Sequence, residues 1–597
     1  MIRVADYIIK FLVEKGSDQL FLLPGGAAMF LNDAITLNPN MKYTAVHHEQ
    51  TTTMAAECYA RATGKVGIAM VTAGPGATNA ITGVAGAWVD SVPMIVLAGQ
   101  SKTIQTIQSR NLKNFRQMGA QEINSLAIVE SITKYSAMIT EASSIRYHME
   151  KAYHMATEGR PGPVWLDIPI DIQNTMIDEH NLQGYIQEVH KDDEDINKMI
   201  SKVVDLFQNA KRPVVIAGGG IKSSKSEVIF EELIKKLDVP VVTTRLGCDL
   251  LAHEDEHFAG RVGIRGDRAG NFTVQNADLI LSLGTRLSIP VTGYDYDAFA
   301  REAKIIMVDI DDAELNKETI KIDIPIKCEL NQFICLLNSA IKHNTYEYKE
   351  WLRVTNSWKY KYVTCEAKYW QQDEYVNSYC LVDMISQKAK EDTIVLADAG
   401  SAVDVVYHAF KVKKGQRVLL SGGLASMGHS LPGSIGASIG HDGNTICITG
   451  DGSLQLNIQE LSTIIYNQLN VKLFVLNNNG YLTIRGAQNN HFKGRLIGES
   501  SKSGLGFPNF EKLADAYGIT YRQISQNKVL EQEIEEILSI NGPVFCEVIM
   551  EENQLIAPKQ SSMAMPDGKM VSKPLEDMYP FLDREEFMSN MFVRIYN

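Results

Sequence analysis

The sequence predicts an α/β protein of three consecutive doubly wound domains, each built on a parallel sheet. Length is the first observation: 597 residues exceed one hydrophobic core and suit about three or four domains. The second is a rhythm. In three regions a short apolar run ends in a glycine-rich turn and leads into a helical pattern, as βα units do. The third is the polar stretch QEVHKDDEDINK, which reads as a linker between the first two regions.

The elements follow in order. MIRVADYIIKFLVEKG reads as an amphipathic helix closed by Gly16, without the apolar run and cleavage site of a signal peptide. GIAMVTAGPGATNAITGVAGAW then gives a strand from Gly67, a turn at Gly74–Gly76 and a helix of small residues. VPMIVLAGQ and GPVWLDIP are further buried strands, and the first domain is assigned to residues 1–172. The second, residues 192–342, opens on RPVVIAGGGIKSS and continues through ADLILSLGTRL and AKIIMVDIDDAEL. The aromatic stretch NTYEYKEWLRVTNSWKYKYVTCEAKYW crosses back as helix and loop. The third, residues 376–552, holds DTIVLADAGSA, NTICITGDGS and VKLFVLNNNGY. Residues 553–597 are rich in proline, methionine and acidic residues and read as a lid or interface strap, with KQSSMAMPDG over the mouth of a site.

Composition excludes several classes. A formal charge of −13 argues against a nucleic-acid surface, which needs a basic patch. No run of about 20 apolar residues exists, so no transmembrane helix is expected. The eight cysteines fall singly with no CxxC pair, which suggests neither a zinc site nor a disulfide framework and suits a reducing cytoplasm.

In open α/β sheets ligands sit at the carboxyl ends of strands. That places Glu49, Gly74–Gly76, Gly218–Gly220, Gly400 and Asp451 at ligand-binding positions. Asp451 follows the strand TICITG, and Asn478 follows VKLFVLN. A carboxylate and an amide oxygen converging there suit a hard cation such as Mg²⁺ or Ca²⁺. The Gly452 and Ser453 amides at a helix start suit a phosphate. Taken singly, Asp451 reads equally as a helix N-cap and the asparagines as a turn. The two together favour a metal–diphosphate site.

The pair GDGS…LNNNGY resembles the thiamin-diphosphate motif. The chain is similar to the acetolactate synthase/pyruvate oxidase branch of that family through LLPGGAAMFLNDAI, HHEQTTTMAAECYARATGK, EGRPGPVWLDIPIDIQ and SGGLASMGHSLPGSIGA, among other stretches. The resemblance implies pyrimidine-binding, central and diphosphate-binding domains. It implies Mg²⁺ on Asp451, Asn478 and the Gly480 carbonyl. Gly400, Ser401, Ala402, Gly450, Gly452, Ser453, Tyr481 and Leu482 would hold the diphosphate end. Glu49 would hydrogen-bond the aminopyrimidine so that it takes the thiazolium C2 proton, with Pro75 and Asn79 nearby. Met427 would be the wedge that bends the cofactor, flanked by Leu424 and Ser426; alone it reads equally as core. Gly26, Ala27 and Gln121 would face the reacting carbons, with Gln117 and Thr483 as further candidates. Because Glu49 and Asp451 lie in different domains, the resemblance implies a homodimer or homotetramer with sites at the dimer interface.

The reaction is read from departures. AGQSKTIQTIQSR lacks the His-His pair of simple pyruvate decarboxylases, and Ile484 stands where those enzymes carry a glutamate. A site poor in proton donors favours ligation: decarboxylation of pyruvate or a related 2-oxo acid, then transfer of the two-carbon unit to an acceptor carbonyl. Acetolactate synthases carry Phe-Gln where this chain has Ala120-Gln121, and Gln-Trp where it has Gly486-Ala487. The larger acceptor side suggests a nucleotide-linked keto sugar; acetolactate synthesis and hydrolysis of a cyclic dione are the alternatives. Arg485, His491 and Lys493 read either as phosphate ligands or as solvated loop charges. In the central domain AGGGIKSS, GIRGDRAGN, GTRL and VDIDDAEL match the FAD site of flavin-containing relatives, which implies FAD on Gly218, Gly219, Gly220, Gly284, Thr285, Arg286, Asp309 and Ile310.

Overall fold

The computed structural model describes residues 1–187, 196–341, 347–564 and 570–596. The expected linker core at 188–195, and the boundaries at 192 and 342, lie outside the described residues. Three six-stranded parallel sheets carry the fold. The first holds β1 (Gln19–Leu22), β2 (Lys42–Ala45), β3 (Gly67–Val71), β4 (Met94–Gln100), β5 (Tyr135–Met138) and β6 (Pro163–Pro169), ordered β2-β1-β3-β4-β6-β5. The second holds β7 (Pro213–Ala217), β8 (Val241–Thr243), β9 (Phe258–Arg261), β10 (Leu279–Leu283), β11 (Lys304–Asp309) and β12 (Ile324–Lys327), ordered β9-β8-β7-β10-β11-β12. The third holds β13 (Ile394–Ala397), β14 (Arg417–Leu420), β15 (Thr445–Gly450), β16 (Val471–Asn477), β17 (Thr520–Ile524) and β18 (Val544–Ile549), ordered β14-β13-β15-β16-β18-β17. The first and third sheets share one order. The inner strands are buried on both faces, as a sheet covered by helices on each side requires.

Five helices position the site: α1 (Glu49–Thr63), α2 (Pro75–Asp90), α3 (Ser401–Ala409), α4 (Ser430–Ile439) and α5 (Leu482–Phe492). The first and third domains share a core. Ala55, Tyr59 and Trp165 of the first pack in one apolar cluster with Leu431, Ile435 and Phe545 of the third. α1 and α4 meet there with their backbones close, because α4 offers glycines. A Cβ at Gly436 would lie 1.9 Å from the Ala55 carbonyl oxygen.

The tail is a strap on the central domain. The Arg301 guanidinium pairs with Glu576 at 2.8 Å, Trp358 Nε1 donates to Asn590 Oδ1 at 2.8 Å, and Phe587 packs on Phe272. Within the expected lid, Gln560 N donates to the Ile264 carbonyl, while residues 565–569 lie outside the described residues. Among the described residues no helix is long and apolar enough to cross a membrane.

Gly436→Ala forces the two helices apart. We expect a loss of about 1–3 kcal/mol, the cost of overpacking a close contact, read as a lower denaturant midpoint.

Candidate active site

Each sheet reverses its winding at one point, between β1 and β3, between β7 and β10, and between β13 and β15. Crevices outside the strand ends at such points are where open α/β sheets bind ligands. The sequence-derived residues fall at these ends. Gly26 and Ala27 follow β1, and Pro75 follows β3. Gly218–Gly220 follow β7, and Gly284–Arg286 follow β10. Gly400–Ala402 follow β13, and Asp451 follows β15.

At the third sheet, Asp451 is 1% exposed. Its Oδ1 accepts from Gly452 N at 2.7 Å, and its Oδ2 from Asn478 N at 3.2 Å and Gly480 N at 2.9 Å. Burial pushes its pKa up to about 6 against the pull of these amides. Asn478 is buried too, and its Oδ1 has no hydrogen-bond partner. An anionic oxygen and an orphaned amide oxygen on bonded neighbours form a donor set that suits a hard cation. Gly452 lies against the Tyr481 ring and Gly400 beside Thr483, which brings the ends of β13, β15 and β16 into one group. Gly400 has φ +77° and opens α3, whose free first-turn amides suit an anion.

Two residues that the motifs did not announce hold this edge. Asp398, fully buried, accepts from Ala399 N (2.8 Å), Gly428 N (3.0 Å), Ser430 Oγ (2.7 Å) and Thr449 Oγ1 (3.2 Å). It ties the Leu424–Ser426–Met427 loop to the strand ends. Arg485 is neither a phosphate ligand nor a solvated charge. It is 4% exposed, pairs with Glu499 at 2.5 Å, and donates to the carbonyls of Asn478 (3.3 Å), Asn479 (3.0 Å) and Glu552. The guanidinium therefore shapes the asparagine turn from behind. His491 and Lys493 stay on the exposed end of α5.

At the first sheet, Glu49 opens α1 and is 7% exposed. Asn79 Nδ2 donates to its Oε2 at 3.0 Å, and Gly76 lies beside Oε1. Ala27 N donates to Thr72 Oγ1 at 3.2 Å, drawing the turn after β1 onto the turn after β3. Gln121 has φ +58°, and its carbonyl fills the space over Gly74. Glu122 shapes that loop by accepting from the amides of Ile107 (2.5 Å), Met118 (2.9 Å) and Gly119 (2.9 Å). Gln117 spends its amide on the Glu122 carbonyl.

The central domain borders a cavity of about 1140 Å³ that reaches the other two domains. Gly219, Gly220, Gly284, Thr285, Arg286, Asp309 and Ile310 line it. Gly218 does not. A Cβ there would strike the Gly284 carbonyl oxygen at 2.3 Å and Thr285 at 2.5 Å, so this glycine lets two turns pack instead of touching a ligand.

Comparison with known proteins now decides the family. Residues 2–128 match the thiamine pyrophosphate enzyme N-terminal TPP binding domain, 200–337 the central domain, and 398–548 the C-terminal TPP binding domain. The chain belongs to the thiamine pyrophosphate enzyme family. It is 32% identical to the acetolactate synthase large subunit of Lactococcus lactis over 93% of both chains. It is 31% identical to the isozyme 3 large subunit of Escherichia coli over 96% of this chain and 99% of that one. It is 30% identical to the chloroplastic acetolactate synthase of Arabidopsis thaliana over 93% of this chain and 82% of that one. It is thus a thiamin-diphosphate enzyme of the acetolactate synthase/pyruvate oxidase-like branch.

Two outcomes follow from this geometry. Asn478→Ala removes an acceptor with no protein partner, so the thermal midpoint of the cofactor-free protein should hold or rise. Binding of thiamin diphosphate should weaken by about tenfold or more, measured by quenching of tryptophan fluorescence. Arg485→Met leaves the buried Glu499 carboxylate with the Ser500 and Ser503 hydroxyls but without its cation, and should cost about 3–5 kcal/mol. Arg485→Met with Glu499→Leu should recover most of that in chemical denaturation.

Proposed function

We propose that the chain is a carboligase of the acetolactate synthase kind: it decarboxylates pyruvate and joins the two-carbon unit to the carbonyl of a second 2-oxo acid. Bound thiamin diphosphate supplies the nucleophilic carbon that such chemistry requires. Asp451, Asn478 and the Gly480 carbonyl would hold Mg²⁺. The α3 amides at Ser401 and Ala402 and those of Gly452 and Ser453 would hold phosphate oxygens. Gly450, Tyr481 and Leu482 complete the wall. Glu49 would bond the aminopyrimidine and move a proton at Oε1, the oxygen that Asn79 leaves free. Met427, with Leu424 and Ser426, would support the bent cofactor. Gly26, Ala27 and Gln121 would face the reacting carbons. Because Glu49 and Asp451 belong to different domains, each site is proposed to be shared within a homodimer, alone or paired as a tetramer.

The observation that carries ligation over simple aldehyde release is the first turn of α5. It holds Leu482, Thr483 and Ile484 after the metal turn, with Ile484 46% exposed and no acid among them. This turn would therefore offer a reacting carbon no carboxyl from which to take a proton. The names of the relatives, over nearly the whole length, support the same reading.

FAD is the proposed occupant of the central cavity. The volume, the glycine turns, and an Arg286 side chain without a protein partner among the described residues support a dinucleotide with phosphates. A second reading of the acceptor, a nucleotide-linked keto sugar, has one support. Ala120 is exposed, and a Cβ at Gly486 would meet nothing within 4 Å, so the acceptor side has room.

Carbon dioxide release from pyruvate, with thiamin diphosphate and Mg²⁺, tests the proposal when products are read by mass spectrometry. Acetolactate from pyruvate alone is the expected result; no release would remove the reading, and a two-carbon adduct only with a keto sugar would favour the second. Glu49→Gln should keep cofactor binding while slowing C2 proton exchange by about 10²–10⁴-fold.

A further inference from the structure

We propose that Asp90, in the first domain, is a positioning residue for the cofactor: it anchors the third-domain loop Gly422–Met427 and so sets the height of Met427. This rests on the reading of Met427 as the support of bound thiamin diphosphate.

Asp90 ends α2 and is 8% exposed. Its Oδ2 accepts from Gly422 N at 2.8 Å and its Oδ1 from Gly423 N at 2.7 Å. Among the described residues its side chain makes no other hydrogen bond. Burial pushes its pKa up, while Arg61 and the two amides pull it down. A carboxylate accepting two successive amides fixes a turn in two directions at once. The turn has no room for other residues: a Cβ at Gly423 would lie 2.8 Å from Val89 and 3.0 Å from Asp90 Oδ1.

The first domain grips this segment elsewhere too. Arg61 donates to the Leu420 carbonyl at 2.9 Å, just before the turn. Beyond it, Glu57 pairs with His429 at 2.6 Å. Asp398 takes Gly428 N from inside the third domain. Only Leu424–Met427 runs free between these anchors, with Ala425 at φ +52° and Leu424 40% exposed. A stretch this short follows its ends, so loosening the Asp90 anchor moves Met427.

The placement explains why the contact is a carboxylate. Mere docking of two domains is already served by the shared apolar core. Two charge-assisted bonds at the root of one loop add direction, not area. α2 also carries Asn79 near its start, the partner of Glu49. One helix thus aligns the proton-handling carboxyl at one end and the wedge loop at the other.

The test compares Asp90→Asn and Gly423→Ala with the parent as full-length protein. Hydrogen–deuterium exchange of the peptide spanning 418–430 is read first without cofactor. Exchange there should rise by about tenfold, the weight of one charge-assisted hydrogen bond. With thiamin diphosphate and Mg²⁺ at saturation, C2 proton exchange should slow by about tenfold, and Asp90→Glu should restore part of it. A lower thermal midpoint with unchanged loop exchange and unchanged C2 exchange would reduce Asp90 to a docking contact and overturn the proposal. Glu49→Gln runs alongside. If it leaves C2 exchange at the parent rate, the cofactor reading has failed, and the cofactor-free loop exchange alone decides whether Asp90 is the anchor.

Discussion

Backbone amides beyond the carboxyl edge of a parallel sheet have no strand to bond, and in this chain buried carboxylates take them. Asp398 serves three backbone amides and two hydroxyls across three segments. Asp451 takes three amides from two strand ends. Glu122 takes three within the loop that carries Gln121. Glu460, fully buried, takes the His47 amide from another domain, two residues before Glu49. An unpaired buried amide is costly, so each carboxylate makes its loop adopt one shape. The loops around the site are therefore held by the protein's own groups, which is the condition for electrostatic catalysis without reorganisation.

The same economy explains the metal edge. Both oxygens of Asp451 are engaged by amides, yet each keeps acceptor capacity for a cation. Burial raises the pKa of this group more than three amides and Arg485 lower it, so a further positive charge would stabilise the anion. The Asn478 oxygen has no protein neighbour at all. In the proposed site a divalent cation would answer both at once, and the diphosphate it carried would meet the amides at the start of α3. Arg485 cannot substitute for that cation, because its donors are already spent on the backs of Asn478 and Asn479 and on Glu499.

Legibility in the sequence followed locality. Strands, turns and the three-domain rhythm were readable because apolar runs and glycines act on their neighbours. Asp451 and Asn478 were readable because each directly follows a strand, and parallel strands end at one edge. Asp90 and Asp398 were not. Each is one acidic residue among 71, and Asp90 binds amides more than three hundred positions away. Arg485 was open between two readings because a helix position beside a metal turn does not reveal burial; its partner Glu499 comes from a loop beyond the helix. Gly218 looked like its neighbours in a glycine triplet, and what separates it is that Gly219 and Gly220 line the central cavity and it does not. Gly422 and Gly423 stand in SGGLASMGHSLPGSIGA, but nothing local tells which domain holds them.

The acceptor side is decided by what fills space, and here two observations pull apart. Exposed Ala120 and the open position at Gly486 leave room that a pyruvate acceptor does not need. Room alone, however, binds nothing; affinity for a sugar nucleotide needs cations or donors placed to meet its phosphates. The basic residues nearest the metal turn do not supply them, since Arg485 is buried in an ion pair and His491 and Lys493 sit at the far, exposed end of α5. A small 2-oxo acid needs fewer partners, one donor to its carboxylate and one to its carbonyl, which ordered loop groups such as those around Gln121 can provide. The balance of chemistry within a single chain therefore favours the smaller acceptor, and the larger one gains ground only where a partner subunit brings a positive group over the mouth of the site.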